Sequence, residues 1–136
     1  MAVIPQEVQD LFNKVPAVYF GTATADAQPN INIIGIKQIV DDSTIYLSDQ
    51  FFNKTLANLK ENDKVAIAFW DGPQAYQIYG TARYVNDGEE FAEKKAWADG
   101  IFAAKGAPVV AKGGCFVDVT AVYQVASGPA AGSQIA

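Results

Sequence analysis

Histidine is absent from this 136-residue sequence, and its absence excludes several kinds of site. Without imidazole, the chain cannot form a Ser-His-Asp or Cys-His catalytic group, a histidine-ligated zinc site or a histidine-ligated haem. The single cysteine, Cys115, forms neither an internal disulfide nor a thiolate metal cluster. Because Cys115 lies in an apolar segment, we expect a buried and unreactive thiol, and we predict no metal site.

Arginine is nearly absent as well, since nine of the ten basic residues are lysine and only Arg83 is arginine. A bound anion therefore cannot rest on a cluster of bidentate guanidinium groups. The net charge of −5 argues against nucleic acid or an anionic membrane surface as a partner. Small molecules and other proteins are the partner classes that the charge leaves open.

No apolar run approaches the roughly 18 residues that a membrane-spanning helix needs. The first residues, M-A-V-I-P-Q-E, lack the basic flank and the apolar core of a signal peptide. Half of the residues are hydrophobic and 18% are charged, which is typical of a globular protein. Since 136 residues suit one domain and are too few for two ordinary ones, we predict a single cytoplasmic domain over residues 1–136.

Six segments have the composition and alternation of strands, and helical patterns lie between them. We expect strands over residues 15–25, 30–40, 44–48, 64–70, 75–85 and 115–125, and helices over residues 5–14, 53–61 and 89–104. Turn sequences between successive strands favour antiparallel pairing. The predicted fold is mainly β with peripheral helices, a small six-stranded antiparallel barrel whose ends are covered by the helices.

The segment 30–40 changes its pattern half-way along. It begins with asparagine and isoleucine in alternation, as in a strand with one solvated face. Ile34 and Ile36 then occupy the other face, while Gly35 offers no side chain between them. A strand that is apolar on both faces is covered on both, and a glycine within it lets a flat group approach the backbone. A bulge or a barrel corner at Gly35 explains the pattern equally well.

The segment 45–59 predicts a buried strand that leads into a helix. Asn53 is placed to begin that helix, because an asparagine side chain accepts hydrogen bonds from free N–H groups at a helix start. Lys54 and Thr55 follow in the first turn, where free N–H groups and the positive end of the helix dipole collect. This arrangement is compatible with a phosphate site, but the segment by itself favours an ordinary capped helix whose start is packed by a preceding phenylalanine.

Several sequence segments, taken in their order along the chain, resemble the flavin-binding split-barrel family related to pyridoxamine 5′-phosphate oxidases, in its short FMN-binding branch. These segments are P-N-I-N-I-I-G-I, L-S-D-Q-F-F-N-K-T-L-A-N-L-K-E-N, V-A-I-A-F-W, Y-Q-I-Y-G-T-A and S-G-P-A-A-G-S-Q-I. The resemblance covers nearly the whole chain. It implies a six-stranded antiparallel split β-barrel of Greek-key type that forms a homodimer with FMN at the subunit interface.

The resemblance also implies which residues hold the cofactor. Those expected beside the flavin ring are Ile33, Ile34 and Gly35, through their backbone, with Leu47, Ser48 and Asp49 on the adjoining strand. Those expected at the 5′-phosphate are Asn53, Lys54 and Thr55, with Asn58 one turn further along. Lys37 or Gln77 is a candidate for the polar edge of the ring. A phosphate dianion would gain charge-assisted hydrogen bonds from the lysine, the hydroxyl and the helix amides.

The sequence departs from the vitamin B6 oxidases of the family. Their arginine-rich phosphate contacts and their C-terminal Arg-Leu-x-x-Arg-type substrate segment are absent, which argues against oxidation of pyridoxamine phosphate. We expect an FMN-dependent oxidoreductase or an electron-transfer protein, because a flavin supplies its own redox chemistry. The alternatives are a deazaflavin (F420)-dependent reductase of the same fold and a cofactor-free barrel that acts as a binding module. The sequence identifies no catalytic residue, electron donor or electron acceptor.

Overall fold

The computed structural model of the protein describes residues 1–136, which form eight strands and three helices. The strands are β1 (Val18–Ala23), β2 (Pro29–Ile34), β3 (Lys37–Asp41), β4 (Thr44–Asp49), β5 (Lys64–Asp71), β6 (Gln74–Val85), β7 (Gly113–Gln124) and β8 (Ser133–Gln134). The helices are α1 (Gln6–Lys14), α2 (Lys54–Glu61) and α3 (Gly88–Ala104). None of the helices is both long and apolar enough to cross a membrane.

Seven of the strands form one curved antiparallel sheet in the order β2-β1-β5-β6-β7-β4-β3, and the short β8 pairs with β7. The two outermost strands, β2 and β3, do not pair with each other, so the barrel is open along one side. This architecture confirms the predicted class, a mainly β antiparallel split barrel with peripheral helices. The strand count is eight where six were predicted.

The expected single strand over residues 30–40 is in fact two strands. Its first half, β2, pairs with β1, and its second half, β3, pairs with β4 at the opposite end of the sheet. The chain passes between these edges at Gly35 and Ile36, so the barrel-corner interpretation of Gly35 is the one that the fold adopts. Side-chain alternation could not reveal the break, because it reports which face a residue occupies and not which strand pairs with it.

Twenty buried apolar residues form the main core inside the curved sheet. Helix α1 closes one end of this core with Val8, Leu11 and Phe12, and the Phe12 ring meets the Phe69 ring edge-on at 5.5 Å between centroids. Cys115 belongs to the same core and is fully buried, and burial raises the pKa of its thiol to about 12. The thiol is therefore protonated at neutral pH, and its burial is as the sequence predicted.

Helix α3 lies outside the sheet, where its Ala98 packs against Ile36 and Ala111 in a small apolar cluster, and polar contacts add to its attachment. The Arg83 guanidinium donates two hydrogen bonds to the Glu90 carboxylate, at 2.9 and 3.0 Å. Near the other end of the helix, Asp99 accepts from Lys95 at 2.6 Å and from the Ala111 amide at 2.7 Å. The second set of contacts ties the loop after α3 back onto the helix, and so fixes where the end of α3 lies.

Candidate functional site

Two adjoining cavities lie beside the loop that joins β4 to α2. The wide cavity, of about 370 Å³, lies between the β2–β3 corner, the end of β4 and the end of α3. The narrow cavity, of about 220 Å³, lies between β2 and the first turn of α2. Both are lined by Asn32, Phe51 and Phe52, so together they form one groove with a broad end and a tapered end.

The wide cavity has mostly apolar walls and a few polar groups. Its lining residues are Pro16, Asn32, Ile33, Ile34, Gly35, Ile36, Ser48, Gln50, Phe51, Phe52, Phe102 and Lys105. Ser48 and Gln50 are buried, and the Gln50 amide donates to the Ser48 hydroxyl at 2.6 Å. Lys105, just after α3, is the one charged residue in the lining. Such a cavity suits a flat, largely apolar group with hydrogen-bonding atoms on part of its edge.

The narrow cavity is built on the start of α2. Asn53, Lys54 and Thr55 all line it, so the structure brings the three predicted phosphate residues together. Asn53 is not the side-chain cap that the sequence predicted, because it has a positive φ of 50° and its side chain makes no capping hydrogen bond. A helix start without a side-chain cap leaves room for an anion at the positive end of the helix dipole.

A partly buried cluster of amides and hydroxyls, the amide cluster, forms part of the wall of the narrow cavity, which Asn30, Asn32 and Thr55 line. The Asn30 amide donates to the Thr22 hydroxyl at 3.3 Å and to the Thr55 hydroxyl at 3.1 Å. The Asn32 amide also donates to Thr55, at 3.3 Å, and the Asn58 amide donates to Thr22 at 3.0 Å. Asn58 therefore lies in the amide cluster, one layer away from the narrow cavity that it was expected to line.

The two faces of β2 are the reverse of what its alternation indicates. Asn30 and Asn32 turn inward toward α2, whereas Ile31 and Ile33 are 72% and 64% exposed. The alternation correctly predicts one solvated face, but that face carries the isoleucines. Neither asparagine was predicted as a site residue, because a polar residue on a strand is usually solvated.

Leu47 and Asp49 support the site from inside the barrel and line neither cavity. Leu47 is fully buried in the main core. The buried Asp49 carboxylate accepts a hydrogen bond from the Phe52 amide at 2.9 Å and another from the Tyr84 hydroxyl at 2.6 Å. Burial and the bond to Asp49 raise the pKa of Tyr84. Asp49 therefore fixes the loop whose phenylalanines separate the two cavities.

Lys37 and Gln77, the candidates for the polar edge of a ring, do not line the wide cavity. The Lys37 ammonium donates to the Phe12 carbonyl at the end of α1 and lies over the Phe12 ring, and burial lowers its pKa. The structure places Gln50 and Lys105 at the wide cavity instead. Lys105 is distant in the chain from the predicted residues, and only the path of α3 brings it there.

We expect Asp49→Asn to lower the free energy of unfolding by at least about 1 kcal/mol, because the Phe52 amide and the Tyr84 hydroxyl bond to different carboxylate oxygens. An asparagine amide has one accepting oxygen, so one bond becomes a bond to a neutral acceptor and the other donor faces an NH₂ group. Urea denaturation measures the change. Tyr84→Phe removes only one of the two bonds and should have the smaller effect. An Asp49→Asn protein as stable as the wild type would show that the carboxylate does not hold the loop.

A family model described as pyridoxamine 5′-phosphate oxidase matches residues 4–125. An uncharacterised protein of Methanocaldococcus jannaschii, MJ0282, is 33% identical over 132 residues, covering 95% of this chain and 85% of its own length. Among solved structures, HupZ of Group A Streptococcus is 30% identical with a TM-score of 0.79, and the match covers 95% of this chain and 99% of HupZ.

Structures of lower identity share the fold and differ in the ligand that their descriptions name. One, described as an FMN-binding protein from Syntrophomonas wolfei, is 22% identical with a TM-score of 0.71, over 87% of this chain and 83% of that chain. An F420 reductase is 16% identical, with a TM-score of 0.66 over 88% of this chain and 98% of its own. The fold alone therefore does not decide between flavin and deazaflavin.

Proposed function

The chain belongs to the pyridoxamine 5′-phosphate oxidase family, and on that premise we propose that it is an FMN-binding flavoprotein, acting as an oxidoreductase or an electron-transfer protein. The observation that carries the proposal is the pair of joined cavities, a wide apolar one and a narrow one at an uncapped helix start with Lys54 beside it. These match the two ends of FMN, a flat ring system and a phosphate.

The residues present fit such a ligand. Ile33, Ile34 and Gly35 border the wide cavity, which leaves room for a ring against the β2–β3 corner. Ser48 and Gln50 offer hydrogen bonds to the polar edge of the ring. When bound, the flavin supplies the redox chemistry, and the chain's part is to orient the ring, shield it from water and set its potential.

Lys54 and Thr55 fit the phosphate in the narrow cavity. The lysine ammonium provides a full positive charge, and the first turn of α2 adds amides and the helix dipole. No arginine takes part, because Arg83 is bound in a bidentate pair to Glu90 and lies over the Phe116 ring. The proposal therefore does not include oxidation of pyridoxamine phosphate.

We also propose that two copies of the chain associate through the outer face of the sheet. This face exposes Ile31, Ile33, Tyr19 and Tyr79, and it contains a surface cavity of about 520 Å³ near Ala66. A contiguous apolar patch of this kind is typical of an interaction surface. Since Ile33 borders both this face and the wide cavity, a second copy seated here would complete the cofactor site.

Ala66→Glu should convert the dimer to a monomer, because Ala66 pairs with Gly21 and Tyr79 in the middle of the apolar face and a buried carboxylate without a partner is costly. Sedimentation velocity gives the mass. Ala92→Glu, which adds the same charge on an exposed position of α3, is the matched control and should remain dimeric. A monomeric wild-type protein, or a dimeric Ala66→Glu variant, would contradict the proposed interface.

The cofactor is identified by denaturing the purified protein and measuring the mass and absorbance of what is released. We expect FMN. Release of F420 would replace the flavin proposal by the deazaflavin reductase. Protein that carries no cofactor and binds neither compound would support the cofactor-free binding module.

A further inference from the structure

An exposed group of apolar and basic residues, the basic patch, lies at the α3 end of the wide cavity. It consists of Phe51, Lys105, Val110 and Lys112. Phe51 lines the cavity and is nevertheless 65% exposed, and Val110 is 58% exposed. The Lys112 ammonium lies over the Phe51 ring, 5.3 Å from its centroid, and Lys105 lines the same cavity. Large apolar side chains that are grouped and exposed in this way mark an interaction surface.

The backbone that carries the two lysines is anchored to the rest of the fold. The Lys112 amide donates to the Asp49 carbonyl at 2.8 Å. The preceding residue, Ala111, is buried, and its amide donates to the Asp99 carboxylate at 2.7 Å. The Lys105 amide closes the last turn of α3. Both lysines therefore extend from backbone whose position the fold determines.

The basic patch is locally positive on a chain whose net charge is −5. No acidic residue lines either cavity, and none occurs between residues 100 and 117. Of the carboxylates that anchor this region, Asp99 is paired with Lys95 and Asp49 is buried. Lys105 and Lys112 form no ion pair. Their charges are therefore free to attract an anionic partner, whereas Lys54 is assigned to the FMN phosphate.

The arrangement suits an acidic protein better than a small anion. Lys105 is the one cation that lines the wide cavity, so no second cation converges with it on a point inside. The only arginine, Arg83, is held by Glu90. Two positive charges beside an exposed aromatic ring instead match a protein interface, which has an apolar centre and a polar rim. Opposite charge on the partner speeds the encounter and fixes its orientation.

We propose that the basic patch is the docking surface for an electron-carrier protein that has an acidic patch of its own. This inference rests on the proposed FMN function and adds the class of its redox partner. A carrier seated on Phe51 would bring its redox centre to the border of the wide cavity, where the flavin ring would lie. The proposed dimer face meets the same cavity at Ile33 and shares no residue with the basic patch.

The salt dependence of electron transfer tests the sign of the charge at the docking surface. The probe is a reduced plant-type [2Fe–2S] ferredoxin, an acidic one-electron carrier that is a strong reductant. Each ferredoxin gives up one electron, so two are oxidised for every flavin that is fully reduced. Stopped-flow absorbance gives the second-order rate constant. Because salt screens charges, docking on the basic patch predicts a rate that falls as salt rises. A rate that rises with salt would show that the net charge of −5 governs the encounter, and would overturn the proposal.

Lys112→Glu reverses one charge of the basic patch without changing the lining of the wide cavity. We expect the rate with ferredoxin at low salt to fall about tenfold, the lower end of the range for electrostatic steering, with FMN content unchanged. Lys60→Glu makes the same charge change in the exposed last turn of α2 and is the matched control, which should react nearly as fast as the wild type.

Two results of this comparison would contradict the proposal. If Lys60→Glu slows the reaction as much as Lys112→Glu, the overall charge and not the basic patch controls the encounter. If Lys112→Glu slows reduction of the flavin by NADPH and leaves reduction by ferredoxin unchanged, the patch serves a small anion and not a protein.

Zero-length cross-linking tests the docking surface without using the flavin. A carbodiimide joins a lysine to a carboxylate only where the two groups are in contact. With ferredoxin at low salt, we expect mass spectrometry to find the cross-links at Lys105 and Lys112. Cross-links confined to other lysines would overturn the docking surface even in a protein that binds FMN. A protein that holds no flavin and still cross-links at these two lysines would refute the proposed function and leave the docking surface standing.

Discussion

Lys54→Ala is expected to weaken FMN binding by about 1.5–3 kcal/mol, or roughly 10- to 150-fold, the range for a hydrogen bond to a charged group. Lys54 lines the narrow cavity and supplies the only full positive charge there. Its removal leaves the phosphate with the Thr55 hydroxyl and the helix amides. Quenching of FMN fluorescence during titration with protein measures the dissociation constant.

Lys60→Ala is the matched control for that experiment. Lys60 is an exposed lysine in the last turn of the same helix and does not line the narrow cavity. Its removal changes the net charge by the same amount but should leave FMN affinity nearly unchanged. Equal losses in the two variants would indicate a general charge effect, and unchanged affinity in Lys54→Ala would refute the phosphate assignment.

Gly114→Ala is expected to lower the free energy of unfolding by about 3 kcal/mol, the upper part of the usual range for overpacking a core. A Cβ atom at this position would lie 1.9 Å from the Tyr46 hydroxyl oxygen and 2.2 Å from the ring carbon that bears it. The Tyr46 ring is fully buried and packs against Phe116 at 4.9 Å between centroids, so it cannot move aside. Urea denaturation followed by circular dichroism measures the loss.

The control for Gly114→Ala is Gly100→Ala, in the middle of α3. A Cβ atom there meets nothing within 4 Å, and alanine favours a helix over glycine by about 0.5–1 kcal/mol. This variant should therefore be slightly more stable than the wild type. If both variants unfold at the same urea concentration, the close packing of Tyr46 against Gly114 of β7 does not make this substitution destabilising.

The fold class was predictable because each strand carries its own signal in its alternation and its flanking turns. The alternation of apolar and polar residues could not show which strands pair with each other in the sheet. The division of residues 30–40 into β2 and β3 depends on which edge of the sheet each half joins, and Gly35 alone leaves several possibilities open. The outward face of β2 likewise depends on contacts with α2, which leave Asn30 and Asn32 half-buried and not exposed.

Part of the candidate site could likewise be predicted from local sequence, and the rest depends on the tertiary fold. Asn53, Lys54 and Thr55 are consecutive in the chain at a helix start, so a local pattern was sufficient to predict that they lie together. Lys105 reaches the wide cavity only because α3 crosses the outside of the sheet. Asn53 itself shows the limit of a local signal, since asparagine is favoured both as a helix cap and at positive φ, and here it takes the second role.

The central claim, that this chain binds FMN in the joined cavities, is tested most directly by the visible spectrum of the protein after incubation with FMN and desalting. Bound flavin should remain with the protein as a yellow complex with one FMN per chain, and Lys54→Ala should retain less. A wild-type protein that is colourless before incubation and colourless again after desalting would contradict the claim.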